Sequence, residues 1–139
     1  PYRYELEALA KKLKIYDHVK FHGYVKRDEL TRYYEACDVY VHSALSETFT
    51  STIREAMSVG RPIISTSIGF VEEHIKDGFN GFLIPPVNPE KLADGVVKLL
   101  VDDELRFRIG LNARKYVEKN LDWNELSHKW YNVYSGVLD

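Results

Sequence analysis

Two carboxylates eight residues apart, Glu47 and Glu55, bracket a run of small hydroxyl side chains: Thr48, Thr50, Ser51 and Thr52. The run leads from the end of a strand near His42 into a helix that begins near Ser51. The first N–H groups of a helix have no partner inside it. The amides of Thr50 to Ile53 are therefore expected to form an anion site fit for a diphosphate. Hydroxyl side chains add donors there without obstructing approach. Carboxylates beside such a site make physical sense when they face hydroxyls. Glu55, one turn into the helix, suits both hydroxyls of a ribose diol, and Glu47, in the loop, suits a sugar ring beyond the phosphates. On one continuous helix the pair would sit about 80° apart around the axis. One loop residue and one helix residue serve the arrangement better. The plain alternative is two surface acids near a helix N-terminus, worth ~0.3–1 kcal/mol each through the dipole.

The elements that must position this segment can be read from periodicity and punctuation. Leu6, Leu9, Ala10 and Leu13 recur at helical spacing and predict a helix over about Tyr4–Lys12. Val19-Lys20-Phe21-His22 alternates and stops at Gly23, which predicts a strand. Arg27–Ala36 reads as a second helix, with Asp28 and Glu29 in its first turn where negative charge suits the dipole. Val39-Tyr40-Val41 reads as a strand, and Thr52–Val59 as a helix stopped by Gly60 with Pro62 just beyond. Ile63–Ser65 and Phe82–Ile84 are two further strands. They flank a short helix near Val71–Lys76 and the turn pairs Asp77-Gly78 and Asn80-Gly81. Asn88 is placed to cap a helix that starts with Pro89 and runs to about Val101. Asp103–Lys119 continues as another, and Asp122 with Glu125 opens a last one to about Leu138. Four strands alternating with helices predict an α/β fold with a parallel sheet covered on both faces. The first helix has no strand before it, so the sheet is expected to lack one or more strands at this end.

Composition narrows the classes. The 139 residues, 45% of them hydrophobic, suffice for a single domain over 1–139 with its own core, since domains commonly run ~100–150 residues. A net charge of −2 gives no basic field, so neither nucleic acid nor an anionic membrane is an expected partner. No apolar run approaches the ~18–20 residues that span a bilayer, and a signal peptide is not expected from the opening residues. One cysteine, Cys37, excludes an internal disulfide framework and fits a reducing, cytoplasmic setting. Beside a strand, it reads as packing and not as a nucleophile. Histidines 18, 22, 42, 74 and 128 show no metal-binding spacing, so no metal site is expected. The chain opens on Pro1 and enters a helical pattern at once, which reads as a piece of a longer protein. Trp123, Trp130, Tyr131 and Tyr134 lie along one side of the last helix. The plainer reading packs them against this domain; the sharper one leaves them as a face for an absent half.

Glu47 and Glu55, followed by Ala56-Met57, resemble the paired-glutamate motif of glycosyltransferase family 4, the group 1 enzymes. The likeness continues through Gly60-Arg61-Pro62-Ile63-Ile64-Ser65, Gly69, Glu72, Asp77 to Pro86 and Asn112-Ala113-Arg114. Upstream, His18 to Gly23 and Ala36 to Val39 fit as well, in order and at family spacing. The resemblance implies a Rossmann-like C-terminal half of a GT-B fold that binds the donor of a retaining glycosyltransferase. The donor would be a UDP-, GDP- or ADP-sugar, with no cofactor and no metal. It implies that Glu55 binds the ribose, that Glu47 lies near the transferred sugar, and that amides of Phe49, Thr50, Ser51 and Thr52 meet the sugar and phosphates. The loop His22, Gly23, Tyr24 and Val25 resembles the part that lies against the base. An N-terminal, acceptor-binding half would be the partner, and any peripheral membrane association would run through it. Relatives with the same architecture, such as glycogen or starch synthases and nucleotide-sugar epimerases, are the alternative, as is a non-catalytic binding domain. The sequence departs from the family at Thr50, where Gly or Pro is usual, at Arg54, where an apolar residue is usual, and at His42, where proline is common. Arg54 reads as a solvated surface residue before a phosphate partner.

Overall fold

A computed structural model describes residues 2–48 and 51–138. Two compact units are formed, Pro1–Leu30 and Thr31–Asp139.

The first unit holds helix α1 (Tyr2–Lys12), a 3-10 turn (Tyr16–His18) and the start of helix α2 (Arg27–Ala36), which runs on into the second unit. Arg3 pairs with Glu7 at 2.7 Å and lies over the Phe21 ring. Val19 to His22, expected as a strand, joins no ladder, although Val19 itself has extended backbone. Alternation encodes a pleated chain, whereas a strand also needs a ladder to join, and the sheet of the described residues consists of three other strands.

The second unit is built on three parallel strands in the order β1 (Tyr40–His42), β2 (Ile63–Thr66) and β3 (Phe82–Ile84). Tyr40 faces Ile63 in register, and Ile64 faces Phe82. Helices α3 (Ser51–Ser58), α4 (Val71–His74), α5 (Pro89–Val101), α6 (Asp103–Asn120) and α7 (Trp123–Leu138) complete it. The central strand is buried throughout. Pleating sends Ile64 to one face, and Ile63 and Ser65 to the other, each with no exposure. Such a run of buried residues is what a parallel sheet covered on both faces requires. Ile64 meets Leu99 of α5 and Leu105 and Ile109 of α6, with Phe82, Ile84 and Val96 around them.

Local chemistry explains the boundaries. Gly60 stops α3 at φ +74, while its N–H bonds Met57 and the next N–H, of Arg61, reaches back to Ala56. That paired closure needs a left-handed residue, for which glycine has no Cβ cost. The Asn88 side chain accepts from Lys91 N–H at 3.0 Å and starts α5. Asp102 does the same for α6, and Asp122 for α7 through Asn124 and Glu125. Helix α4 ends at His74, two residues before the expected Lys76. The cause is Asn80, 1% exposed, whose side-chain oxygen takes the Lys76 N–H at 2.7 Å while its amide donates to His74 C=O at 3.0 Å. A side chain supplies the bond that another helical turn would have made.

The aromatic side of α7 does not pack as the plainer reading expected: Trp123, Trp130, Tyr131 and Tyr134 are each more than half exposed. Among the described residues, no helix is long and apolar enough to cross a membrane.

Candidate functional site

The loop after β1 leads directly into α3, so both glutamates stand at the carboxyl end of the sheet, where ligands of parallel α/β folds bind. Phe49 and Thr50 lie outside the described residues. Ser51, Thr52 and Ile53 open α3 as expected, so their backbone N–H groups are the free donors of its first turn. Ser51 is exposed, Thr52 half-buried and Ile53 fully buried, which anchors the first turn against the core.

Each carboxylate lies beside a side chain that sequence reading did not assign to it. Tyr34 of α2, 6% exposed, donates its hydroxyl to Glu55 Oε2 at 3.1 Å. Its ring meets Tyr40 of β1 edge-on at 5.5 Å, and Tyr40 stacks on His42 two residues along the same strand face, with ring centroids 6.5 Å apart. His42 Nε2 lies 3.7 Å from Glu47 Oε2. One layer of aromatic rings therefore runs from the helix glutamate to the loop glutamate. Burial, and then the bond to Glu55, push the Tyr34 hydroxyl far above its ordinary range. It keeps its proton and donates it. Burial raises the Tyr40 hydroxyl too, against a lowering effect of Thr52.

The loop that carries Glu47 is pinned from a second side. Thr66, at the end of β2, donates to Ala44 C=O at 2.6 Å. Gly69, at φ +42, comes so near that a Cβ there would stand 3.4 Å from the Glu47 carbonyl oxygen. Ser67 donates to Glu72, which orders the same β2–α4 connection. A small apolar hollow of about 160 Å³ lies at this edge, between Leu45, Thr66, Ile84 and Leu92.

Other expected residues fall as follows. His22, Gly23, Tyr24 and Val25 lie in the first unit, ahead of α2. Gly23 turns the chain at φ +71, and Tyr24 is 91% exposed. Arg54 is half-buried, not fully solvated, and its charge acts on His74. Cys37 donates to Tyr34 C=O at 3.3 Å, and burial pushes its thiol up, as befits a packed residue. Among the described residues, no three His, Cys, Asp or Glu side chains gather as a metal cage needs. A wider cavity of about 380 Å³, lined by Arg61, Arg106 and Arg114, opens at the amino ends of the strands, away from both glutamates. Two of its arginines serve helix ends: Arg106 donates to the Leu99 and Leu100 carbonyls and Arg114 to that of Ser58. Cations belong at helix C-termini.

Tyr34 and Tyr40 carry a weak signal in the sequence. Tyr34 lies on the buried stripe of α2, and Tyr40 and His42 share a strand face by their spacing of two. Nothing in that spacing says which carboxylate each meets.

Comparison with known proteins agrees with this geometry. The family model for glycosyl transferases group 1 matches residues 1–116. An uncharacterised glycosyltransferase of Methanocaldococcus jannaschii is 36% identical over 134 residues, which are 96% of this chain and 34% of that protein. The D-inositol 3-phosphate glycosyltransferase of Xylanimonas cellulosilytica is 32% identical over 131 residues, 94% of this chain and 31% of that protein. The crystal structure of Anabaena HepE in complex with UDP superposes with a TM-score of 0.91 at 27% identity, over 97% of this chain and 37% of that one. The chain thus spans about a third of the length of these relatives. With a match over most of its length, on a Rossmann-like parallel sheet, the chain belongs to the glycosyl transferases group 1 family.

Proposed function

We propose that residues 1–139 form the donor-binding C-terminal domain of a retaining glycosyltransferase, which transfers a sugar from a nucleotide-sugar to an acceptor held by an N-terminal half. The observation that carries the proposal is the pair of buttressed glutamates at the N-terminal end of α3: Glu55 bonded by Tyr34, and Glu47 beside His42. A surface acid needs no such support. In this reading Glu55 accepts the ribose hydroxyls, Glu47 contacts the sugar, and the amides of Phe49 to Thr52 meet the phosphates and sugar. The loop His22 to Val25 takes the base. As the bond from the anomeric carbon to the phosphate oxygen breaks, its electron pair leaves with the nucleoside diphosphate. Amides already aimed at that oxygen stabilise the growing charge without reorganising. The acceptor hydroxyl oxygen bonds the anomeric carbon, and its proton passes to the departing diphosphate. The domain acts without a metal, in the cytoplasm, and by itself transfers no sugar. UDP is the first nucleotide to test, because a relative of the same fold was crystallised with it.

Isothermal titration with UDP, GDP and ADP tests the reading. Binding by one of them is expected in the high-micromolar to millimolar range, about −4 to −6 kcal/mol. Glu55→Ala should weaken it by ~1–3 kcal/mol, as for a lost charged acceptor, and Glu47→Ala should leave it nearly unchanged. Thermal melts control for folding, since Ala alters the first turns of α3. If affinity survives Glu55→Ala in a folded protein, the glutamates are surface acids and the proposal fails.

A further inference from the structure

We propose that His42 is the positioning residue for Glu47, holding its carboxylate through an Nε2–H hydrogen bond so that the other carboxylate oxygen meets the donor sugar. The proposal rests on the reading of Glu47 as the sugar contact. His42 Nε2 is shut off from solvent and makes no hydrogen bond among the described residues. A buried polar atom left without a partner is unfavourable, and this one faces a carboxylate 3.7 Å away. The ring is the fixed member of the pair. It ends β1, is held in register against Ser65, stacks on Tyr40, and its side chain is 12% exposed. Glu47 sits in the loop beyond the strand, with its side chain 29% exposed. A shift of roughly 1 Å brings the carboxylate to the ~2.7–2.9 Å of a charge-assisted bond. Its two oxygens then divide their work. One is tied to a strand, and the other keeps a set direction toward the sugar. A histidine that merely fills space on Tyr40 would have no use for Nε2, and phenylalanine would serve equally.

The test uses that difference. UDP and UDP-glucose are titrated calorimetrically into the wild-type chain, His42→Phe and His42→Gln, with thermal melts beside each. His42→Phe keeps the stacked ring and loses the donor, while His42→Gln returns an N–H at about the same reach. Expected is a loss of about fivefold or more in UDP-glucose affinity for His42→Phe, the scale of one such bond. UDP affinity should be unchanged, and His42→Gln should restore UDP-glucose binding. Equal UDP-glucose binding by wild type and His42→Phe overturns the proposal. So does a parallel loss of both ligands in the two variants. If the wild type binds no nucleotide at all, the donor-site reading fails separately, and ligand-free NMR decides the pair. Long-range proton–nitrogen spectra should show the His42 Nε2–H form in the wild type and lose that preference in Glu47→Ala. An Nδ1–H form in the wild type, or identical spectra in both, overturns the proposal.

Discussion

Glu55 is steadied by a phenol that burial prevents from ionising, and the bond crosses 21 residues from one helix to another. Tyr34→Phe removes that donor and leaves the ring packed on Tyr40. The expected result is a nucleoside diphosphate affinity lower by ~0.5–1.5 kcal/mol, the net worth of an ordinary hydrogen bond. Calorimetry measures it, and an unchanged melting temperature shows that the core is intact. The two carboxylates and their hydroxyl-rich loop were legible in the sequence, because unusual residue types at a strand–helix junction announce themselves. Their supports were not. Periodicity tells that Tyr34 points inward and that Tyr40 and His42 share a face. It does not tell that these inward rings from α2 and β1 line up between Glu55 and Glu47. That meeting is decided by how helix and strand pack.

Helix α3 is located at its far end by two glycines. A Cβ on Gly110 of α6 would stand 2.2 Å from the Gly60 carbonyl oxygen, an approach no side chain allows. Gly110→Ala is therefore expected to force α6 and α3 apart and to destabilise the fold by ~1–3 kcal/mol, as overpacking does. Urea unfolding measures the change, and Gly136→Ala, where nothing lies within 4 Å, is the control. Elements with strong punctuation were readable to within a residue or two, notably α2, α3, α5, α6 and α7. Caps and glycine stops act locally, so sequence carries them. The strand expected at Val19 to His22 failed because pairing is not local, and α4 ended early because Asn80 reaches back across the turn. The contact between Gly60 and Gly110 was equally invisible, since it joins residues fifty positions apart.

Across the whole molecule, pH acts on stability through His74. Burial, and then the charge of Arg54, lower its pKa against an opposing pull from Glu73. Its Nδ1 lies 3.1 Å from the Tyr116 hydroxyl, which itself donates to the Glu73 carbonyl and so accepts from the ring. The folded chain thus binds this proton less readily than the unfolded chain, where histidine titrates near about 6.5. His74 costs no stability above that pH, and stability falls as pH drops through it toward the lower folded value. Melting temperatures from pH 8 to pH 5 should decline, and His74→Gln should flatten the slope between roughly pH 7 and 5. The position of β2 has a consequence in time. With a strand bonded on each side and no face open to water, its amides can meet solvent only when the sheet itself comes apart. In deuterated water the N–H groups of Ile64 and Ser65 should be among the last to exchange, at a rate set by global unfolding. Those of α7, with its aromatic side in solvent, should be lost early by fraying. Adding a nucleotide that binds should slow the β2 amides and leave α7 as it was, which separates ligand-linked stability from local motion in a single spectrum.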